Sequence, residues 1–251
     1  RLFTLVVLDE EGHLAGIAPW YVEHSAAQGR VLRFLGSGEV ASDYLSLLCR
    51  PEHEERVSEN LADWLVGMHW SQIGRLSVPD CDRWDLLELT GVDAGDWAVA
   101  RLAAAMEARG NPVHRRPGPR CWQIELPGTW DDYLAGLSKD HRKQVRRIQQ
   151  RLLATGRAVL HTVKHEEELP QAEQILVDLL QRRQNKLGGP GCFASERFAS
   201  FHHDVMPELL REGQLGLHWI ELDGKPVAAE YHLIGDDIVY AYQSGVDPGA
   251  L

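Results

Sequence analysis

The chain has 251 residues, of which 44% are hydrophobic and 25% are charged. This composition is ordinary for a globular protein, and the length allows one large domain or two small ones. The formal net charge of −11 counts against DNA, RNA and anionic membranes as partners, because a strongly acidic protein repels polyanions. We therefore expect a protein that acts on small molecules or neutral polymers.

The first half of the chain has the pattern of mixed strands and helices. Apolar runs predict strands at residues 2–8, 13–22, 31–35, 44–48, 73–78 and 86–89. The first two runs surround a turn at Gly12, as the strands of a hairpin do. Apolar residues at helical spacing predict helices at residues 56–68 and 96–109. Residues 111–120 are rich in Pro, Arg and Gly without periodicity, which is typical of a linker.

The second half predicts a strand, several helices and a final antiparallel meander. Strands are predicted at residues 121–126, 158–163, 215–222, 226–234 and 238–243. Helices are predicted at residues 129–137, 138–153, 169–183 and 195–210, and Thr129, Ser138 and Ser195 are suitable N-caps. Residues 187–191 read as a loop. Asp223-Gly224 and the Gly-Asp-Asp of residues 235–237 are hairpin signals between the last three strands.

These elements predict an α/β fold with two lobes, at residues 1–115 and 116–251. Each lobe should contain a mostly antiparallel mixed sheet flanked by helices. The four cysteines lie far apart, at Cys49, Cys81, Cys121 and Cys192. This argues against a disulfide framework and favours a reducing, cytoplasmic compartment. No apolar run approaches the ~18 residues of a membrane span, so we expect none. The chain starts at Arg rather than Met, and we interpret both of its ends as cuts.

The final meander resembles a known family. Residues 217–229 contain leucine, then Asp223-Gly224, then a Pro-Val-Ala-Ala run, and residues 239–248 end in glycine, any residue, Asp-Pro. Both are similar to signatures of the GNAT branch associated with cellulose and other exopolysaccharide biosynthesis. Upstream matches to this branch lie at Leu137-Ser138, Arg142, Arg146, Arg147, Leu179-Leu180, Arg182 and Arg183. The runs at residues 19–21, 32–36 and 43–44 resemble the preceding lobe of long members.

The resemblance implies two tandem GNAT-like lobes, as in Fem-type aminoacyltransferases. It also implies acyl transfer from acetyl-CoA or another acyl-CoA to an amine or hydroxyl, on a saccharide or a small amine. In a GNAT fold the fourth strand lines the thioester arm, and here that strand is residues 238–244. We therefore expect donor contacts at Tyr240, Gln243, Ser244 and Gly245. The family's phosphate loop should follow Asp247-Pro248, so we expect the second lobe to be cut before it.

Acyl transfer needs a base for the nucleophile and an acid or dipole for the departing thiolate. Strand alternation places Glu230 and His232 on one face, with Tyr231 on the other. We predict Glu230 as the base, with His232 or Tyr242 as its partner, although a solvated polar pair would show the same pattern. Tyr242 is the predicted acid, and the competing interpretation of Tyr240 and Tyr242 is core packing. Alternation places Gln243 on the face opposite Tyr242.

The segment from 139 to 151 holds six cations and a single acid. The competing interpretations are a solvated basic face, a clamp for phosphate and an RNA contact. We predict that the face with Arg142 and Arg146 borders the acyl-donor cleft. His202-His203-Asp204 lack the i, i+4 spacing of a zinc helix, so no metal is expected.

Two other functions compete with acyl-CoA-dependent transfer. The basic helix is compatible with an aminoacyl-tRNA donor, which the net charge disfavours. A non-catalytic module of a polysaccharide-synthesis assembly would retain the fold without the chemistry, because fold resemblance does not establish activity.

Overall fold

The computed structural model describes residues 1–73 and 83–250. These residues form two compact units, Arg1–Gln123 and Ile124–Leu251. Each unit has its own apolar core. The α/β class with mostly antiparallel sheets is confirmed.

The first unit contains six strands in two three-stranded sheets within the described residues. The strands are β1 (Leu5–Leu8), β2 (Leu14–Ala18), β3 (Trp20–Ser25), β4 (Gly29–Phe34), β5 (Leu48–Cys49) and β6 (Leu86–Leu87). One sheet has the order β1-β2-β5 and the other β3-β4-β6, with only the β4–β6 pair parallel. The predicted hairpin is confirmed, because Leu5 pairs with Ala18 across the turn at Gly12.

Two helices cover this unit, α1 (Glu54–Ile73) and α2 (Trp97–Ala108). The Ser58 hydroxyl joins them by donating to the carbonyl oxygen of Ala98 at 2.9 Å. Of the predicted stripe of Val57, Leu61, Leu65 and Met68, the first three are buried in the core, and the Met68 side chain lies outside the part of the chain whose side chains the structure describes. Burial of such a side chain contributes ~1.5–3 kcal/mol, so α1 is held mainly by its apolar face.

Two strand predictions in the first unit need correction, and most of a third lies outside the described residues. Residues 13–22 form two strands in different sheets, divided at Pro19, which has no N–H to donate. The predicted strand at 44–48 is wrong, since only Leu48–Cys49 is extended and paired. Tyr44 has a φ of 58°, a left-handed conformation that interrupts a strand. The predicted strand at 73–78 starts on the last residue of α1, and its remainder lies outside the described residues.

The second unit contains a four-stranded antiparallel sheet in the order β10-β9-β8-β7. Its elements are α3 (Trp130–Gly136), α4 (Lys139–Ile148), β7 (Ala158–Thr162), α5 (Leu169–Leu187), α6 (Glu196–Arg211), β8 (Leu215–Leu222), β9 (Lys225–Ile234) and β10 (Val239–Val246). The predicted caps are confirmed for α3, α4 and α6. In each, the side-chain oxygen of Thr129, Ser138 or Ser195 accepts from a backbone N–H three residues later.

Several boundaries in the second unit differ from prediction. Residues 121–126 are exposed and belong to no strand, so that strand prediction is wrong. The helix expected to reach residue 153 ends at Ile148 and continues as a π-helical turn, Gln149–Leu153. The helix predicted to end at residue 183 runs to Leu187, and the loop predicted at 187–191 begins one residue later, at Gly188, which has the left-handed conformation.

Two further observations concern the described part of the chain as a whole. Cys49, Cys121 and Cys192 form no disulfide there. Among its helices, none combines the length and the apolar character that crossing a membrane requires.

Candidate functional site

Strand β10 forms one edge of the sheet in the second unit. It pairs with β9 on one side, and no strand of the described residues pairs with its other side. The backbone N–H and C=O groups along an unpaired edge are available to an extended ligand. The predicted donor contacts therefore lie on an edge strand, the position at which an extended ligand can add to a sheet.

A β-bulge interrupts the pairing of β9 with β10 at Tyr242. Ala241 lies opposite His232 and Gln243 lies opposite Tyr231, so the register of the ladder shifts by one residue at Tyr242. The Tyr242 ring packs edge-on against Tyr231, with ring centroids 5.4 Å apart. Tyr242 and Gln243 therefore both lie on the helix-covered side of the sheet with Tyr231. The prediction that Gln243 faces away from Tyr242 is wrong, because the bulge breaks strict alternation.

The connection between α5 and α6 contacts this part of β10. The Cys192 thiol donates to the Gln243 side-chain oxygen, with 3.6 Å between Sγ and Oε1. Burial, followed by the influence of the Cys192 thiol, raises the pKa of Tyr242 to about 12. The Tyr242 phenol is thus protonated at neutral pH and can act as a proton donor.

His202 on α6 links the two tyrosines inside the core. Its Nδ1 atom lies 3.3 Å from the Tyr231 hydroxyl, and its Nε2 atom lies 3.0 Å from the Tyr242 hydroxyl. Tyr231 is 0% exposed and His202 is 3% exposed. Burial lowers the pKa of His202 to about 4 and raises the pKa of Tyr231. All three groups are therefore uncharged at neutral pH.

Sequence reasoning did not identify His202 as a site residue. It considered this histidine only as a metal ligand, together with its neighbours His203 and Asp204. Phe198, His202 and Met206 are spaced four residues apart and form the buried stripe of α6. A titratable side chain in the middle of an apolar helical stripe was the signal that could have found it.

Glu230 and His232 lie on the opposite, open face of the sheet. The Glu230 Oε2 atom is 2.9 Å from the His232 Nε2 atom, and the Glu230 side chain is 58% exposed. His218 on β8 lies beside His232, with ring centroids 5.7 Å apart, and its Nδ1 atom is 2.9 Å from the Thr162 hydroxyl. Burial, then the neighbouring His232, lowers the pKa of His218. His232 is thus the partner of Glu230, whereas Tyr242 faces the other side.

The remaining predicted donor contacts occupy different environments along β10. Tyr240 is partly exposed near the start of the strand and lies opposite Leu233. The Ser244 hydroxyl is 3.5 Å from an Arg183 guanidinium nitrogen on α5. Gly245 packs against the α5 backbone, where an added Cβ would lie 2.5 Å from the Leu180 nitrogen. Gly245 therefore allows α5 and β10 to approach closely.

Arg142 and Arg146, the two residues of α4 predicted to border the acyl-donor cleft, differ from each other in their contacts. Arg142 donates from Nη2 to the carbonyl oxygens of Ala135 and Leu137, at 3.2 and 3.0 Å. These acceptors lie at the C-terminal end of α3, so Arg142 caps that helix. Arg146 is exposed, and no hydrogen bond or ion pair joins it to another side chain in the described residues.

Residues 139–250 match the family model of the acetyltransferase (GNAT) domain. The match runs from α4 to the end of β10 and includes both faces of the sheet described above. The second unit therefore contains a GNAT acetyltransferase domain, which implies acyl transfer from an acyl-CoA donor. Comparison of the chain with curated proteins gives no match.

Proposed function

We propose that this protein transfers an acyl group, with acetyl as the expected case, from an acyl-CoA to an amine or hydroxyl acceptor. The proposed acceptor is a saccharide or a small amine in polysaccharide or envelope biosynthesis. The observation that carries the proposal is the bulged edge strand β10 within the matched GNAT domain. The saccharide assignment depends on the resemblance of residues 217–229 and 239–248 to the exopolysaccharide-associated branch.

The residues of β10 fit a thioester donor. The amide groups of the donor's extended arm can hydrogen-bond with the open backbone edge of the strand. The bulge at Tyr242 shifts the register of the β9–β10 ladder, so that the Tyr242 phenol and the Gln243 side chain lie on the same side of the strand. Gln243 and Ser244 flank this position, and Tyr240 and Gly245 extend the same strand.

Tyr242 is the proposed acid. Its phenol carries its proton at neutral pH, and it lies at the bulge where the thioester would be held. As the acceptor bonds to the acyl carbon and the carbon–sulfur bond breaks, the phenol donates its proton to the leaving sulfur. Solvent then returns a proton to the phenolate.

Glu230 is the proposed base, with His232 as its hydrogen-bonded partner. A carboxylate that is exposed on the open face can receive a proton from an acceptor amine or hydroxyl, and the adjacent imidazole can pass that proton to solvent. Because Glu230 and Tyr242 lie on opposite faces of the sheet, this proposal requires the acceptor and the sulfur to approach β10 from different sides.

The direct test is release of free CoA thiol from acetyl-CoA by the full-length protein, with amino sugars, neutral sugars and small amines as acceptors. We expect acceptor-dependent thiol release that the Tyr242→Phe variant reduces by ~10²-fold, the lower end for a lost acid or base. Binding of acetyl-CoA is measured in parallel by calorimetry. If the folded protein neither binds acetyl-CoA nor releases thiol with any acceptor, the proposal is wrong.

The basic surface of α4 favours one alternative, transfer from an aminoacyl-tRNA. Five cations on this helix and the following turn have no acidic partner in the described residues: Lys139, Lys143, Arg146, Arg147 and Arg151. An unpaired row of cations is a suitable surface for a phosphate backbone. Affinity for tRNA that falls steeply with salt, and that falls further in a Lys143→Glu/Arg147→Glu variant, would support this alternative.

A further inference from the structure

Tyr231, His202 and Tyr242 form a buried hydrogen-bonded chain, and the position of the protons in it follows from the contacts. His202 Nδ1 meets the Tyr231 hydroxyl at 3.3 Å and His202 Nε2 meets the Tyr242 hydroxyl at 3.0 Å. The donors and acceptors in this chain determine which atoms carry its protons. Only one assignment gives the completely buried Tyr231 hydroxyl an acceptor.

The assignment begins at Tyr231, which is completely buried. Within the described residues, His202 Nδ1 is the single hydrogen-bond partner of its hydroxyl. A buried O–H that donates to nothing costs ~1–3 kcal/mol in stability, so Tyr231 donates to Nδ1. Nδ1 must then be the bare, accepting nitrogen of the imidazole.

The state of the other ring nitrogen follows. A cationic His202 would carry protons on both nitrogens and leave the Tyr231 proton without an acceptor. The ring is therefore neutral, and its one proton is on Nε2. This Nε2–H faces the Tyr242 oxygen and donates to it, so Tyr242 does not donate its own proton to His202.

We propose that His202 is a positioning residue that holds Tyr242 as a hydrogen-bond acceptor, which directs the Tyr242 proton to a group other than His202. Tyr231 sets this arrangement by fixing the tautomer of His202. This inference rests on the proposed acyl transfer, in which the recipient of the Tyr242 proton is the sulfur of the leaving CoA. The step is balanced, since the carbon–sulfur bond breaks, the sulfur gains the proton and Tyr242 becomes a phenolate.

The proposed arrangement also stabilises that phenolate. The Nε2–H bond to the Tyr242 oxygen becomes charge-assisted once the phenol has lost its proton, and such bonds are roughly twice as strong as neutral ones. This hydrogen bond acts to lower the pKa of Tyr242, whereas burial raises it. With the opposite tautomer, Nε2 would accept the Tyr242 proton and hold it away from the substrate.

The tautomer can be measured without reference to activity. ¹⁵N-histidine labelling of the full-length protein, with the His202→Gln variant used to assign the signal, reports which ring nitrogen carries the proton. We expect the Nε2–H tautomer at pH 7, retained in Tyr242→Phe and lost or mixed in Tyr231→Phe. An Nδ1–H tautomer, a cationic ring, or a tautomer that depends on Tyr242 rather than Tyr231 would overturn the inference.

Kinetics separate the positioning role from a purely structural one. In His202→Leu, kcat should fall at least roughly 10-fold, because Leu cannot hold Tyr242 in the orientation for proton transfer and part of the acid's contribution is lost. KM for acyl-CoA should be nearly unchanged. His202→Gln keeps one amide acceptor and one amide donor, so it should restore most of kcat. If folded His202→Leu retains normal kcat in an enzyme that Tyr242→Phe impairs, the positioning role is wrong. If neither Tyr242→Phe nor His202→Leu affects turnover while the tautomer is as expected, Tyr242 is not the acid of the proposed function. The assignment of the His202 tautomer then stands, and its role in positioning the acid is wrong.

Discussion

Gly245 on β10 faces the backbone of Leu180 on α5, and the two segments touch there without an intervening side chain. A Cβ built at Gly245 would lie 2.5 Å from the Leu180 nitrogen and 2.8 Å from the carbonyl carbon of Leu179. Backbone atoms within a packed helix move little. This contact fixes the distance between α5 and the second half of β10, which includes Ser244.

Replacement of Gly245 by Ala should destabilise the protein by about 1–3 kcal/mol, since the added methyl overpacks a backbone contact. Chemical denaturation of the wild type and the variant measures the difference. Gly136→Ala is the matched control, because a Cβ at Gly136 meets no atom within 4 Å. We expect the control to be neutral or slightly stabilising, and equal stability of the two variants would contradict the packing argument.

The buried His202 should make stability depend on pH in a defined direction. Burial lowers its pKa from 6.5 to about 4, so the unfolded state takes up a proton at a higher pH than the folded state does. Stability is therefore lost as pH falls from about 6.5 to 4, by up to ~3 kcal/mol at 1.36 kcal/mol per pH unit.

Denaturant unfolding between pH 4 and pH 7.5 isolates this contribution when the wild type is compared with His202→Gln, which has no ionisable group at the position. The difference in unfolding free energy between the two proteins should narrow as pH falls. A difference that stays constant over this range would show that His202 titrates alike in both states.

Glu230→Gln should lower turnover by ~10²-fold or more if Glu230 is the base, because the amide cannot accept the proton. The exposed position of Glu230 predicts little change in stability, within about 0.5 kcal/mol. Steady-state kinetics and thermal unfolding provide the two measurements. Glu221→Gln is a suitable control, since Glu221 also pairs with a histidine. Its partner is His161 on the neighbouring strand, at 3.5 Å. A stable Glu230→Gln enzyme with normal turnover would leave Glu230–His232 as a solvated polar pair.

Arg142 and Arg146 should respond differently to the same substitution. Arg142→Ala removes two hydrogen bonds to the end of α3 and should cost about 1–2 kcal/mol. Arg146→Ala removes an exposed cation and should change stability by less than about 0.5 kcal/mol. Calorimetric titration with acetyl-CoA then tests the predicted donor contact. Weaker donor binding in a stable Arg146→Ala protein would support it, and unchanged affinity would assign Arg146 to the solvated face of α4.

The local elements of this protein were determined by neighbouring residues in the sequence. The apolar stripe of Ile175, Leu176, Leu179 and Leu180 predicted α5. The three leucines are buried, and Ile175 packs partly buried against the same core. The caps of α3, α4 and α6 depend on contacts over three residues, which a sequence pattern contains. The hairpin turn at Asp223-Gly224 is equally local, because both residues adopt positive φ.

Pairing and burial over long sequence distances were decided by the tertiary structure. The alternating segment 121–126 has the pattern of a strand, but a strand also needs a partner edge, and Trp122 is 96% exposed. The bulge at Tyr242 shifts two side chains onto one face, which alternation along one strand cannot predict. His202 meets a tyrosine 40 residues further along the chain. Such contacts form only when α6 packs on the sheet. Burial of the apolar side chains brings these residues together, and their buried polar atoms must then form hydrogen bonds with one another.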